Sequence, residues 1–183
     1  MSTSTATGYS TREDAGGAAA EAVGRARDRL RGKQPAFGVV FVSPRHEIDT
    51  VLAAACTHAG TSDLIGCTTA GEITETALTH DGIAVMLVAS DEVRHRIAYA
   101  TGMKAEHERV ATDLYTGFAD TKREAVARGQ RHVTSVVLTD GLAGTGEKLV
   151  GEMVERSGGA AQIVGGAAGD EARFEGTHVG ARG

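Results

Sequence analysis

Two short glycine-rich segments gather most of the side chains in this chain that are equipped for chemistry. Gly66-Cys67-Thr68-Thr69-Ala70-Gly71-Glu72 brings together two hydroxyls, a thiol and a carboxylate. Glycine lets backbone N–H groups approach a bound molecule, threonine hydroxyls donate and accept, and a carboxylate such as Glu72 receives an ammonium group. An α-amino acid suits that mixture. Gly165-Gly166-Ala167-Ala168-Gly169-Asp170 repeats the pattern and ends on its own carboxylate. The competing reading is that the glycines permit tight helix–sheet packing while Glu72 and Asp170 merely close turns.

A third segment, Asp140-Gly141-Leu142-Ala143-Gly144-Thr145-Gly146, has glycines that cradle a phosphate when they lie at a helix N-terminus. It lacks the Lys of a phosphate-binding loop, its spacing is not the dinucleotide fingerprint, and Asp140 repels a phosphate unless a cation intervenes. A plain strand-to-helix loop is the better reading, with Asp140 and Gly141 kept as candidate ligand-site residues.

Catalysis has one candidate nucleophile, Cys67, whose glycine turn near a helix start is a place where a thiol pKa falls. No His is dictated beside it, small buried cysteines are usually inert, and no catalytic residue is assigned. Cys56 reads as a helix core position. The seven His form no H-E-x-x-H or tight Cys/His group, so no metal is assigned. His95 falls on an inward strand face, where a satisfied core histidine is the commoner outcome.

The elements that must position these residues follow from periodicity. Ser10-Thr11-Arg12-Glu13 has capping-box spacing ahead of a helix whose stripe is Ala15, Ala18, Ala22, Ala26 and Leu30, with Gly32 as its stop. The Arg25–Lys33 charges are expected to face solvent. Phe37–Val42 is an apolar strand, Ser43-Pro44 a helix start, Ile48, Val51, Leu52 and Ala55 its inner stripe, and Gly60 its end. Leu64 onward is a second strand running into the first turn. Ile83–Ala89 reads as a strand buried on both faces, and Val93–Thr101 alternates as a half-buried antiparallel strand. A helix is predicted over about Glu106–Arg128, with Val110, Leu114, Phe118 and Ala125 inward and Gly129 as the stop. Val133–Thr139 is a further buried strand, Thr145 caps the helix carrying Leu149, Met153 and Val154, and Arg173–Val179 reads as the last strand.

Strand–helix–strand therefore occurs twice, each copy ending in a small-residue turn and a carboxylate. The fold class is α/β: a mixed sheet with internally duplicated parallel units plus antiparallel strands. Ligands in such sheets sit beyond the carboxyl ends of parallel strands. Residues 1–9 are expected to be a disordered tail and 10–183 one domain, with the second repeat truncated and a sheet edge open to self-association.

With 19 Lys and Arg against 24 Asp and Glu, the net charge is −5, and there is no Trp beside 4 Phe and 3 Tyr. That balance argues against a nucleic-acid partner, which needs a basic face and stacking rings. The 25 Gly are about twice the usual ~7% share, without a collagen-like period. No run is long enough for a membrane span and no secretory signal precedes the cysteines, so a cytoplasmic protein is expected.

Ile65-Gly66-Cys67-Thr68-Thr69-Ala70-Gly71-Glu72-Ile73, Asp81-Gly82 before an apolar strand, Leu138-Thr139-Asp140-Gly141 and Val164 to Asp170 resemble, in order, the N-terminal half of the FIST family. The likeness spans about Ala36 to Val179. It implies a non-enzymatic sensory domain of bacterial signalling proteins that binds a small ligand such as an amino acid and passes the signal to an output protein. It also implies a C-terminal FIST domain as partner, which this sequence lacks, and for some members haem-based nitric oxide sensing. A cysteine-dependent enzyme and an adaptor module remain the alternatives from other classes.

Overall fold

A computed structural model describes residues 3–159 and 161–182, the side chains of residues 117 and 118 excepted. The chain forms two compact units: residues 1–93 with 168–183, and residues 94–167. The duplicated parallel motif is thus divided, one copy in each unit.

The first unit begins with β1, Ser4–Ser10, and α1, Ala15–Arg29. Residues 4–10 are therefore a strand and not a disordered tail, and Met1 and Ser2 lie outside the described residues. Ala6, Gly8 and Ser10 point inward from β1. These side chains are small because α1 lies directly on them: a Cβ at Gly8 would stand 2.1 Å from the Ala22 carbonyl oxygen. The helix makes this approach with Ala18, Ala19, Ala22 and Ala26, all fully buried. Its cap is Asp14, which accepts from Gly17 N–H at 2.5 Å, and not Ser10. Ser10 instead donates to Glu21 at 2.6 Å. The basic end of α1 is tied down: Arg27 donates to the His58 carbonyl, Arg29 pairs with Glu75, and Arg25 stacks 5.0 Å over the Tyr9 ring.

Strand β2, Phe37–Val42, leads to α2, Ile48–Ala59, and β3, Leu64–Thr68. The helix begins at Ile48, four residues past Pro44, because Ser43 to His46 close a turn through His46 N–H and the Ser43 carbonyl at 3.0 Å. Its predicted stripe Ile48, Val51, Leu52, Ala55 is buried, and Gly60 ends it in the left-handed conformation. A short hairpin follows, β4 Glu72–Ile73 and β5 Leu78–Thr79, then β6, Ile83–Ala89. With a late strand, β9 Val179–Arg182, these form a five-stranded sheet in the order β1-β6-β2-β3-β9. The β2–β3 pair is parallel and the others are antiparallel. Both helices pack on one face, where Val40, Val42, Leu64, Ile83, Val85 and Leu87 build the core.

Residues 93–101 form no strand. After β6 a returning strand would pair with β6, but β1 and β2 already occupy both its sides. The strand predicted over Arg173–Val179 begins only at Val179, because residues 170–178 are held in a loop described below.

The second unit holds α3, Met103–Ala127, β7, Val133–Thr139, α4, Gly146–Arg156, and β8, Ala161–Ala167. The β7–β8 pair is parallel over its whole length, and β7 is only partly buried, with Val136 exposed, where the sequence pattern predicts a buried strand. Val110, Ala111, Leu149 and Met153 join α3 to α4, with Leu114, Val137 and Ile163 against them. The side chain of Phe118, predicted on this stripe, lies outside the described residues. Thr145 is the N-cap position of α4, yet its hydroxyl donates to the Met103 carbonyl at 3.2 Å.

Both parallel pairs carry a glycine at the same place. Gly66 lies opposite Val40 and Gly165 opposite Val137. A Cβ would meet the valine carbonyl oxygen at 2.8 Å in the first case and 1.9 Å in the second, where φ is also +152°. Strand-to-strand approach, repeated in both copies, accounts for these two glycines.

Candidate functional site

The carboxyl ends of β2 and β3 in the first unit are bridged by the turn 69–72 and by the loop 168–178. Thr68 anchors the loop: its N–H donates to the His178 carbonyl at 2.9 Å, its hydroxyl accepts His178 N–H at 3.0 Å, and its carbonyl accepts Gly169 N–H at 2.9 Å. Thr69 N–H donates to the Val42 carbonyl at 3.0 Å, joining the ends of the two strands.

Glu72 is 2% exposed. Its Oε1 accepts the Thr69 hydroxyl at 2.7 Å, and its Oε2 accepts the Thr79 hydroxyl at 3.1 Å and Gly82 N–H at 3.2 Å. A buried carboxyl group with three protein donors is a framework element, because exchanging one of them for a ligand leaves a buried donor unpaired. Gly71 sits beside the His80 ring, with φ +146°.

Cys67 is buried, and that burial alone pushes its thiol up to about 11. This is the reverse of the depressed pKa an activated nucleophile needs.

Asp170 is 5% exposed and accepts N–H bonds from Glu175 at 2.7 Å and Gly176 at 3.2 Å. Burial pushes its carboxyl up, but the backbone donors at Glu175, Gly176, Phe174 and Arg173 together outweigh that and hold it below the ordinary range. The loop so gripped is strained: Glu171, Ala172 and Phe174 have φ of +57°, +60° and +58°. Left-handed non-glycine residues cost of order 1–3 kcal/mol each and gather at ligand clamps and switches. Glu171 reaches across to the end of β2, accepting the Ser43 hydroxyl at 2.9 Å, and pairs with Arg173 at 2.6 Å. Phe174 is 76% exposed.

The structure therefore brings Thr68, Thr69, Glu72 and Asp170 together, with Gly66 and Cys67 in the strand below. Asp140, Gly141, Gly165 and Gly166 belong to the second unit. There Asp140 accepts Leu142 N–H at 2.9 Å in an Asx turn between β7 and α4. A cavity of about 20 Å³ in that unit, bordered by Tyr115, Ser135 and Met153, has room for one water. Ser43, Glu171 and Arg173, which the sequence pattern does not single out for the site, join the first unit's cluster through the hydrogen bonds that Glu171 accepts. Only the backbone path of the loop brings them together, so spacing carried no signal for them.

His46, 5% exposed, accepts Arg45 Nε–H at 3.2 Å through Nε2. Burial, aided by the Arg45 guanidinium, lowers its pKa. Haem needs an axial imidazole nitrogen facing a large apolar cavity, and His46, with its Nε2 engaged, does not fit that part.

The first unit is a mixed α/β module whose parallel strand ends are bridged by a turn and a loop. The FIST N domain model matches residues 36–183, and the chain belongs to the FIST family. FIST domains are sensory-type signal-transduction modules and are generally non-enzymatic. Comparison with curated proteins and with solved structures finds no match. Among the described residues, no helix is long and apolar enough to cross a membrane.

Proposed function

We propose that the chain is the small-molecule-sensing part of a signal-transduction system, binding a small zwitterion of the amino-acid class at the carboxyl ends of β2 and β3. The observation that carries this reading is the strained loop, with three left-handed non-glycine residues between 171 and 174, gripped by Asp170 and Thr68. Strain is retained where the surrounding structure holds a segment ready for a partner. Glu171 and Arg173 offer a carboxylate and a guanidinium side by side, suited to an ammonium and a carboxylate on one small molecule. Phe174 supplies an apolar contact beside them. Thr68, Thr69, Glu72 and Asp170 shape the site from beneath, and Glu171 takes the ammonium-receiving role that the sequence pattern assigned to Glu72.

Thermal unfolding against a panel of amino acids and related metabolites tests this. A ligand at 100 times its dissociation constant adds about 2.7 kcal/mol. The shift is expected to vanish in Arg173→Ala and in Glu171→Gln. A panel without any shift, or a shift that survives both substitutions, overturns the site.

A further inference from the structure

In the second unit the fold assembles a donor set that no sequence spacing reveals. We propose that His107, Glu108 and Glu152 form a divalent transition-metal site, of the zinc class, clamping α3 to α4. One imidazole nitrogen and two carboxylate oxygens, one from each residue, all lie within 4.8 Å of one another. Three ligands of a tetrahedral zinc ion stand about 3.4 Å apart, so closure takes side-chain movements of under about 1 Å.

The backbone beneath is fixed independently of any ion. Val110 and Ala111, three and four residues after His107, pack with Leu149 and Met153, which flank Glu152. His107 therefore sits on the α3 face that meets α4. The helical backbone is broken at Glu106, with φ −135° and ψ 45°, immediately before the two ligands from α3.

Two carboxylates this close attract a cation, and Arg156 already supplies one to Glu152. Arg109, the next residue on α3, is committed to Glu106, Asp113 and the Thr101 carbonyl. Arg156 pairs with Glu152 while its Nε is held by Thr112 at 2.9 Å, and it is the cation the metal must compete with. A mixed imidazole and carboxylate set selects Zn²⁺, Ni²⁺ or Cu²⁺ over Ca²⁺ and Mg²⁺, which prefer oxygen alone. Three protein ligands leave a fourth position for water.

The test is calorimetric titration of the whole, chelator-treated chain with ZnCl₂. One Zn²⁺ per chain is expected, weakened at least about tenfold by His107→Ala, by Glu152→Gln and by the exposed Glu108→Gln, a loss that even a second-shell change can produce. Arg156→Gln removes the competitor and is expected to tighten binding, a gain that misfolding cannot mimic. The absence of Zn²⁺ uptake, an affinity untouched by all three ligand variants, or an Arg156→Gln chain that binds no tighter overturns the site.

Discussion

The Thr69 hydroxyl donates to Glu72 Oε1 across 2.7 Å and closes the turn at the end of β3. With Thr79 and Gly82 on the other oxygen, the Glu72 carboxyl group organises three segments of chain around itself.

Glu72→Ala is expected to destabilise the protein by roughly 2–4 kcal/mol, because two hydroxyls and one N–H lose a buried acceptor. Glu72→Gln places an NH₂ against donors on one side and is expected to cost about 1–3 kcal/mol. Urea unfolding of the two variants checks both figures. A near-neutral Glu72→Ala would show that the carboxylate is not the organising group.

The paired glycines give a graded prediction. Gly165→Ala meets the Val137 carbonyl at 1.9 Å in a left-handed backbone and is expected to cost roughly 2–4 kcal/mol. Gly66→Ala meets the Val40 carbonyl at 2.8 Å and is expected to cost about 1–3 kcal/mol. Gly166→Ala has nothing within 4 Å of the added carbon and is expected to stay within about 1 kcal/mol of the parent. Chemical denaturation of the three variants gives the order directly.

Native Cys67 is expected to alkylate at least about 10²-fold more slowly than a free thiol at pH 8, since burial raises its pKa to about 11. Mass spectrometry of iodoacetamide-treated protein separates Cys67 from half-buried Cys56. Rapid labelling at Cys67 in the folded state would reopen a nucleophilic role.

His46 contributes a pH dependence whose sign follows from its lowered pKa. Above the ordinary value of 6.5 the ring is neutral in both folded and unfolded chains. As pH falls through 6.5, the unfolded chain takes up a proton that the folded chain refuses, so stability is lost on acidification. Comparing urea midpoints at pH 7.5 and 5.5, the parent is expected to lose more stability than His46→Gln. Equal losses would remove His46 from the acid response.

Two departures from the sequence pattern are one event. Residues 4–10 lack the apolar alternation of a strand because Ala6, Gly8 and Ser10 face α1 at a distance that only small side chains permit. Val93–Thr101 has the alternation and forms no strand, because β1 already fills the place beside β6. Strand choice was decided by which edge was open, and local sequence does not encode that.

The chain's own sequence determined the parallel β2-α2-β3 and β7-α4-β8 units, the buried stripe of α2, Leu149 and Met153 of α4 though not the exposed Val154, and the stop at Gly60, since periodicity and glycine conformation act over a few residues. It also carried the family motifs, including Gly66 and Gly165 at equivalent places. Tertiary structure alone decided that Glu72 and Asp170 turn inward, that Glu171 meets Ser43 from 128 positions away, and that His107 and Glu108 meet Glu152. The physical reason is that carboxylates, hydroxyls and imidazoles take their roles from the donors and charges that surround them. In these places the surroundings come from chain segments remote in sequence.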